Sequence, residues 1–182
     1  MHALIAIVFS IAFIIIAIVA RLPTYRISPL FLIPLMWFVY ALRRRLHLHP
    51  LHYFLFGTAI LLHDLGAFGF YQRSFFGLSF DIYVHFYFAF AATFIFRGIF
   101  EHYFSLRPWQ VALFTIMFIM GFGAMHEIME YMSTLILGPE RGMLKTNSYI
   151  FDTNRDLTNN FLGCMLALLI GTISRAFRRP LS

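Results

Sequence analysis

The fold class this chain predicts is an all-α, polytopic bundle of transmembrane helices, and three observations predict it. Of its 182 residues, 60% are hydrophobic and only 12% are charged, where soluble domains carry roughly 25% charged residues. The mean hydropathy is +0.77. The apolar residues also gather into six runs, each near the ~20 residues that cross the hydrocarbon of a bilayer. The expectation is one transmembrane domain over 1–182 with about six spans, surrounded by membrane lipids. A net charge of +6 does not mark a nucleic-acid binder here. The basic residues sit in short loops between apolar runs, where they read as topology signals and lipid-headgroup contacts. The lone Cys164 excludes an internal disulfide. Nothing in the sequence sets the oligomeric state.

The first run, 4–20, has no basic residue before it, is long for a signal-peptide core and lacks a small-residue cleavage pattern. It is expected to remain as the first helix. The second, 27–42, is short and contains Pro29 and Pro34, which predict a kink. The third, 51–71, is thinned by Gly57, Gly66 and Gly69 around His63-Asp64. The fourth covers 79–100 and the fifth 108–137. In the sixth, 156–177, Gly163, Ala167 and Gly171 recur every four residues, a stripe that admits a neighbouring backbone closely. Gly121, Gly123 and Ala124 promise the same just before His126. The loops are short except 138–155.

Six spans return both termini to one side. That side holds the clusters Arg43–Arg45 and Arg175–Arg179, with Arg97 and Arg107. The other holds Arg21, Arg26, Arg73, Arg141, Lys145 and Arg155. The positive-inside rule then places both termini in the cytoplasm.

Within these apolar runs the polar residues converge. The fifth span carries His126, Glu127 and Glu130 within five residues. On a helix the pairs His126/Glu130 and Glu127/Glu130 share one sector. An ionised carboxylate at bilayer depth costs about 2.5–3.5 kcal/mol on insertion scales. Two acids one turn apart also repel each other, so they call for a partner, a proton or a cation. With the spans laid out, Asp81 and His85 open the fourth helix, and Asp152 and Asp156 start the sixth. Asp64, His63 beside it, Arg155 and Asn160 fall toward the same face. Glu101 and Glu140 read as ordinary loop charges. His126-Glu127-x-x-Glu130 lacks the second histidine of the metalloprotease pattern H-E-x-x-H, so the motif alone is weak. Carboxylates with imidazoles nevertheless suit zinc, manganese or iron, and added aspartates favour harder ions. Neither Ser133 nor Cys164 has a nucleophile's setting, and no glycine-rich phosphate loop is present.

At these residues the chain resembles the YjdF-like family of bacterial inner-membrane proteins, within the wider VanZ-like group. Three blocks over the last three spans carry the resemblance. They are Asp81-Ile-Tyr-Val-His85-Phe, His126-Glu127-Ile-Met-Glu130-Tyr131, and Phe151-Asp152-Thr153-Asn154-Arg155-Asp156 followed by Asn160 and Gly163. The chain departs from the family pattern in having Phe151 where tryptophan is usual, and in His126 and His63-Asp64. The resemblance implies a polytopic fold with a shared polar site and supplies no activity. The VanZ-like association with glycopeptide tolerance points toward lipids or cell-wall precursors.

Three readings stand. In the first the protein is an enzyme acting on a lipid or lipid-linked envelope substrate near the extracytoplasmic face. Its Asp81, His85, Glu130, Asp152 and Asp156 bind one or two divalent metal ions, and Glu127 or His126 serves as general base. The second is a proton- or ion-coupled transporter or flippase using the same groups as a relay. The third is a non-catalytic membrane protein in which the polar cluster ties helices together.

Overall fold

The computed structural model describes residues 1–20, 26–138 and 149–178. Arg21, Glu140, Arg141, Lys145 and Arg179 lie outside the described residues. Among the described residues six α-helices follow one another: α1 His2–Val19, α2 Pro29–Leu42, α3 Pro50–Asp64, α4 Phe80–Tyr103, α5 Pro108–Leu137 and α6 Tyr149–Arg178. Five stretches of the described residues are long and apolar enough to cross a membrane, and α2 is a shorter apolar helix. Many of their large side chains face outward, such as Ile18, Phe31, Phe38, Trp109 and Ile136. Water would penalise such a surface and hydrocarbon does not.

The 14 residues of α2 measure about 21 Å, short of the ~30 Å hydrocarbon core. Its flanks extend its reach. Arg26 donates to the Ala20 carbonyl at the end of α1, Trp37 donates to Ser10 midway, and His2 at the start of α1 meets the Leu48 carbonyl. The segment from Arg26 to Leu48 therefore retraces α1 from one end to the other. Pro34 lies inside α2, where it removes one backbone donor.

Two sets of three helices have cores of their own, and α3 packs against α4 between them, with His52 stacked on Phe94 at 5.2 Å. Phe9, Phe13, Met36, Tyr53 and Ile60 make the core of α1–α3, and the buried Tyr53 hydroxyl donates to the Met36 carbonyl at 2.7 Å. Ala89, Ala92, Ile119, Cys164 and Leu168 make that of α4–α6. The anticipated small-residue stripe on α6 faces α4: a Cβ on Gly163 would run into the carbonyl of Phe86, and one on Gly171 into the guanidinium of Arg97. Arg97 in turn pairs with Glu101 at 2.8 Å and donates to the Leu168 carbonyl, so Glu101 is a helix-borne partner and not a loop charge. Gly123 makes room for Asn160, while Gly121 faces open space. Asp81 and Asp156 near the starts of α4 and α6, with Arg97 and Gly171 further along, show that these helices run parallel. The antiparallel α5 packs against both.

Three boundaries differ from expectation. The third span stops being α-helical at Asp64 and continues as tight turns over Leu65–Phe68 and Phe70–Gln72, where Gly69 takes a left-handed φ of 74°. A small hairpin follows, pairing Ser74–Phe75 with Leu78–Ser79 around Phe76 and Gly77, both at positive φ. The sixth helix begins at Tyr149, not 156. Its polar first turns look like loop in composition, but the Asp152–Arg155 pair, three residues apart, stabilises them as helix.

Candidate functional site

The polar residues meet at one end of the α4–α6 unit. Asp81 sits in the first turn of α4 and His85 one turn later. Glu127 comes from the last third of α5, and Asp152, Asp156 and Asn160 come from successive turns of one face of α6. Most of the centre is buried, with Asp156 1% exposed, Glu127 5% and His85 6%, while the Asp81 side chain is 24% exposed.

His85 Nε2 is the focus. Asp81 Oδ1 stands 3.5 Å from it, and Glu127 Oε1 and Asp156 Oδ2 each stand 3.9 Å away. These separations exceed the ~3.2 Å limit of a good hydrogen bond. Ligand atoms about 2.1 Å from a shared tetrahedral ion stand about 3.4 Å apart, which is closer to what is seen. Asp81, His85 and Asp156 each offer a donor atom, all within 4.8 Å of one another, and so form a buried group that could hold a metal ion. Glu127 Oε1 is buried and has no hydrogen-bond partner among the described residues. An orphaned carboxylate oxygen costs free energy unless something cationic or protic meets it. Two aspartates, a glutamate and an imidazole match the borderline first-row ions better than magnesium or calcium, which prefer oxygen alone.

Surrounding side chains orient these four. Arg155 Nη2 donates to Asp81 Oδ2 at 2.9 Å and Asp152 Oδ1 at 2.5 Å, and Nε donates to Asp156 Oδ1 at 3.1 Å. Asp81 thus gives one oxygen to the guanidinium and turns the other toward His85, whereas Asp156 gives both, its Oδ2 accepting from Nη2 at 3.4 Å while standing 3.9 Å from His85. Thr153 donates to Glu127 Oε2 at 3.1 Å, leaving Oε1 to face the centre. Asn160 lies within side-chain hydrogen-bonding reach of the His85 ring. Such outer partners fix the direction of ligating groups.

The five residues expected as metal ligands therefore divide. Asp81, His85 and Asp156 converge. Asp152 is engaged by Arg155, and Glu130 pairs with His126 at 3.3 Å. Of the two candidate bases, Glu127 reaches His85 by a carboxylate oxygen, while His126 stands ring to ring with it at 5.5 Å. Of the further polar set, Arg155 and Asn160 join the centre. His63 and Asp64 part company, because neighbours on a helix point about 100° apart. The His63 ring lies 6.3 Å from His126 and its Nδ1 is bonded to the Tyr71 hydroxyl at 2.6 Å. Asp64 turns into the packing beside Ser28, away from the centre.

Sequence reasoning missed Thr153 and Tyr71. Thr153 carried a usable signal, because on α6 it neighbours Asp152 and Asp156. Tyr71 carried none, since the turns that bring it back to His63 depend on Gly69.

No curated protein and no solved structure matches the chain. A family described as "Predicted membrane protein (DUF2238)" does, over residues 1–176. That match takes in all six helix starts and every residue of the polar centre, and the chain belongs to this family of membrane proteins.

Proposed function

We propose that the protein is a membrane-embedded, metal-dependent enzyme that uses a water to cleave a lipid or lipid-linked envelope substrate. The observation that carries this reading is the convergence of three carboxylate oxygens on one imidazole nitrogen at 3.5–3.9 Å in a largely buried centre. Asp81, His85 and Asp156 would hold one divalent ion, with Glu127 beside them. A bound ion would supply positive charge and Lewis acidity where hydrocarbon and packed side chains exclude bulk solvent. Glu127 would accept a proton at Oε1, steadied through Oε2 by Thr153. Arg155 would hold the two aspartates in place and Asn160 the imidazole. His126, with Glu130, would stand behind as a second proton acceptor.

The same reading puts the chain in the cytoplasmic (inner) membrane with both termini in the cytoplasm and the centre near the extracytoplasmic leaflet. In support, the exposed Arg44 and Arg45 lie at the end of the bundle opposite the carboxylates. Membership of the wider VanZ-like group belongs to this proposal too and rests on the three sequence blocks.

Elemental analysis of protein purified without chelators tests the centre. About one ion of zinc, manganese or iron per chain is expected, lost in Asp81→Asn and Asp156→Asn and weakened but present in Asp152→Asn and Glu130→Gln. A metal-free wild type would sink the reading. One observation favours a second, purely structural role: Arg155 bridges Asp81 of α4 to Asp152 and Asp156 of α6, as a helix tie would. That role requires every variant at the centre to lose stability in step with function, so an inactive Glu127→Gln protein of wild-type stability would exclude it.

A further inference from the structure

Arg155 spends only part of its guanidinium on the carboxylates. Nε and Nη2 make its bonds to Asp81, Asp152 and Asp156, while Nη1 donates to no group among the described residues. The side chain is 36% exposed. It lines an open groove of about 460 Å³ between the start of α4 and the first turns of α6. Leu78, Ile82 and Phe151 give this groove an apolar side, and Asn154, Thr158 and Asn159 a polar one. Phe151 and Phe76 stand almost wholly exposed nearby, where hydrocarbon would cover them.

The charges select among amphiphiles. Three carboxylates contact the single guanidinium, so a headgroup of net negative charge meets repulsion. A headgroup without an anionic oxygen leaves the outward N–H groups unmatched. A zwitterion answers both demands, placing its phosphate on Nη1 and its ammonium toward the carboxylates. We propose that this groove seats a zwitterionic phospholipid, headgroup against Arg155 and chains along Leu78, Ile82 and Phe151, as the substrate class of the adjoining centre. Only the word substrate rests on the proposed enzymatic function; the seat itself does not.

Native mass spectrometry of the full chain tests the seat. Short-chain phosphatidylethanolamine, phosphatidylglycerol and diacylglycerol are offered at equal concentration to the wild type, Arg155→Lys and Thr158→Trp, and metal content is read on the same samples. Thr158 is exposed on α6, so the larger side chain fills the groove without entering the core. The zwitterionic lipid should be retained about tenfold better than either competitor, roughly the ratio one charge-assisted hydrogen bond supplies. That preference should vanish in Thr158→Trp while the metal stays, and Arg155→Lys should weaken it. Tail-less glycerophosphoethanolamine should bind at least about tenfold more weakly than the lipid. Equal retention of the three lipids, a preference that survives Thr158→Trp, or equal binding of the tail-less headgroup would each overturn the seat. A metal-free protein that still prefers the zwitterion would instead remove the enzyme and leave the seat standing.

Discussion

At Arg155 one guanidinium faces Asp81, Asp152 and Asp156, and no other arginine or lysine among the described residues contacts these acids. Removing one partner of a buried ion pair typically costs about 3–5 kcal/mol. Arg155 is 36% exposed, and that screening reduces the expected loss for Arg155→Met to about 2 kcal/mol. Thermal unfolding in detergent should show the loss, and adding Asp152→Asn should restore part of it, because the double variant no longer leaves that carboxylate unpaired. An unchanged melting temperature in Arg155→Met would mean that the acids do not depend on the guanidinium. His63 and Asp64 teach the complementary lesson. Adjacent in sequence, they look like one polar pair, yet only His63 faces the centre. Which of two neighbouring helical residues points inward depends on where the partner helices lie, and composition does not encode that.

Among the elements, five of the six described helices were legible because apolar length alone reveals a span, whereas α2, at 14 residues, was legible only as an apolar run. The gathering of Asp81, His85, Glu127 and Asp156 at one depth was legible for the same reason: counting residues along alternating spans fixes depth. The early start of α6 was not, since Asp152–Arg155 is polar and reads as loop in composition, although the Asp152–Arg155 pair three residues apart supports helix there. Nor was the division of labour between Asp152 and Asp156, which depends on where Arg155 reaches. The Gly163 stripe was legible as a contact but not as the contact with Phe86. Its consequence is checkable. Gly163→Ala must force α4 and α6 apart and should lower stability by about 2 kcal/mol or more, whereas Gly121→Ala meets nothing within 4 Å and should be neutral or gain up to about 1 kcal/mol from helix propensity. Chemical denaturation of the two variants side by side distinguishes packing from propensity; equal effects would contradict the close approach.

For the whole molecule, the α1–α3 and α4–α6 units differ in role. The first contributes His63 to the neighbourhood of the centre, and the second contributes every residue that converges on His85. If an ion binds there, it stabilises the native state by mass action. Saturating manganese or zinc should therefore raise the melting temperature of the wild type and leave Asp156→Asn where it was; a rise in both would place the ion elsewhere. The close approach of α4 and α6 at Phe86 and Gly163 has a further consequence. It lies below the carboxylates by seven residues on α6, about 10 Å along the axis. At that distance a change of about 5° in the angle between the two helices would shift Asp156 by about 1 Å relative to Asp81. Metal–ligand distances tolerate only about 0.2 Å. The contact at Gly163, with Arg155 joining Asp81 to Asp156 at the other end, therefore fixes the helix angle on which the spacing of the donor atoms depends.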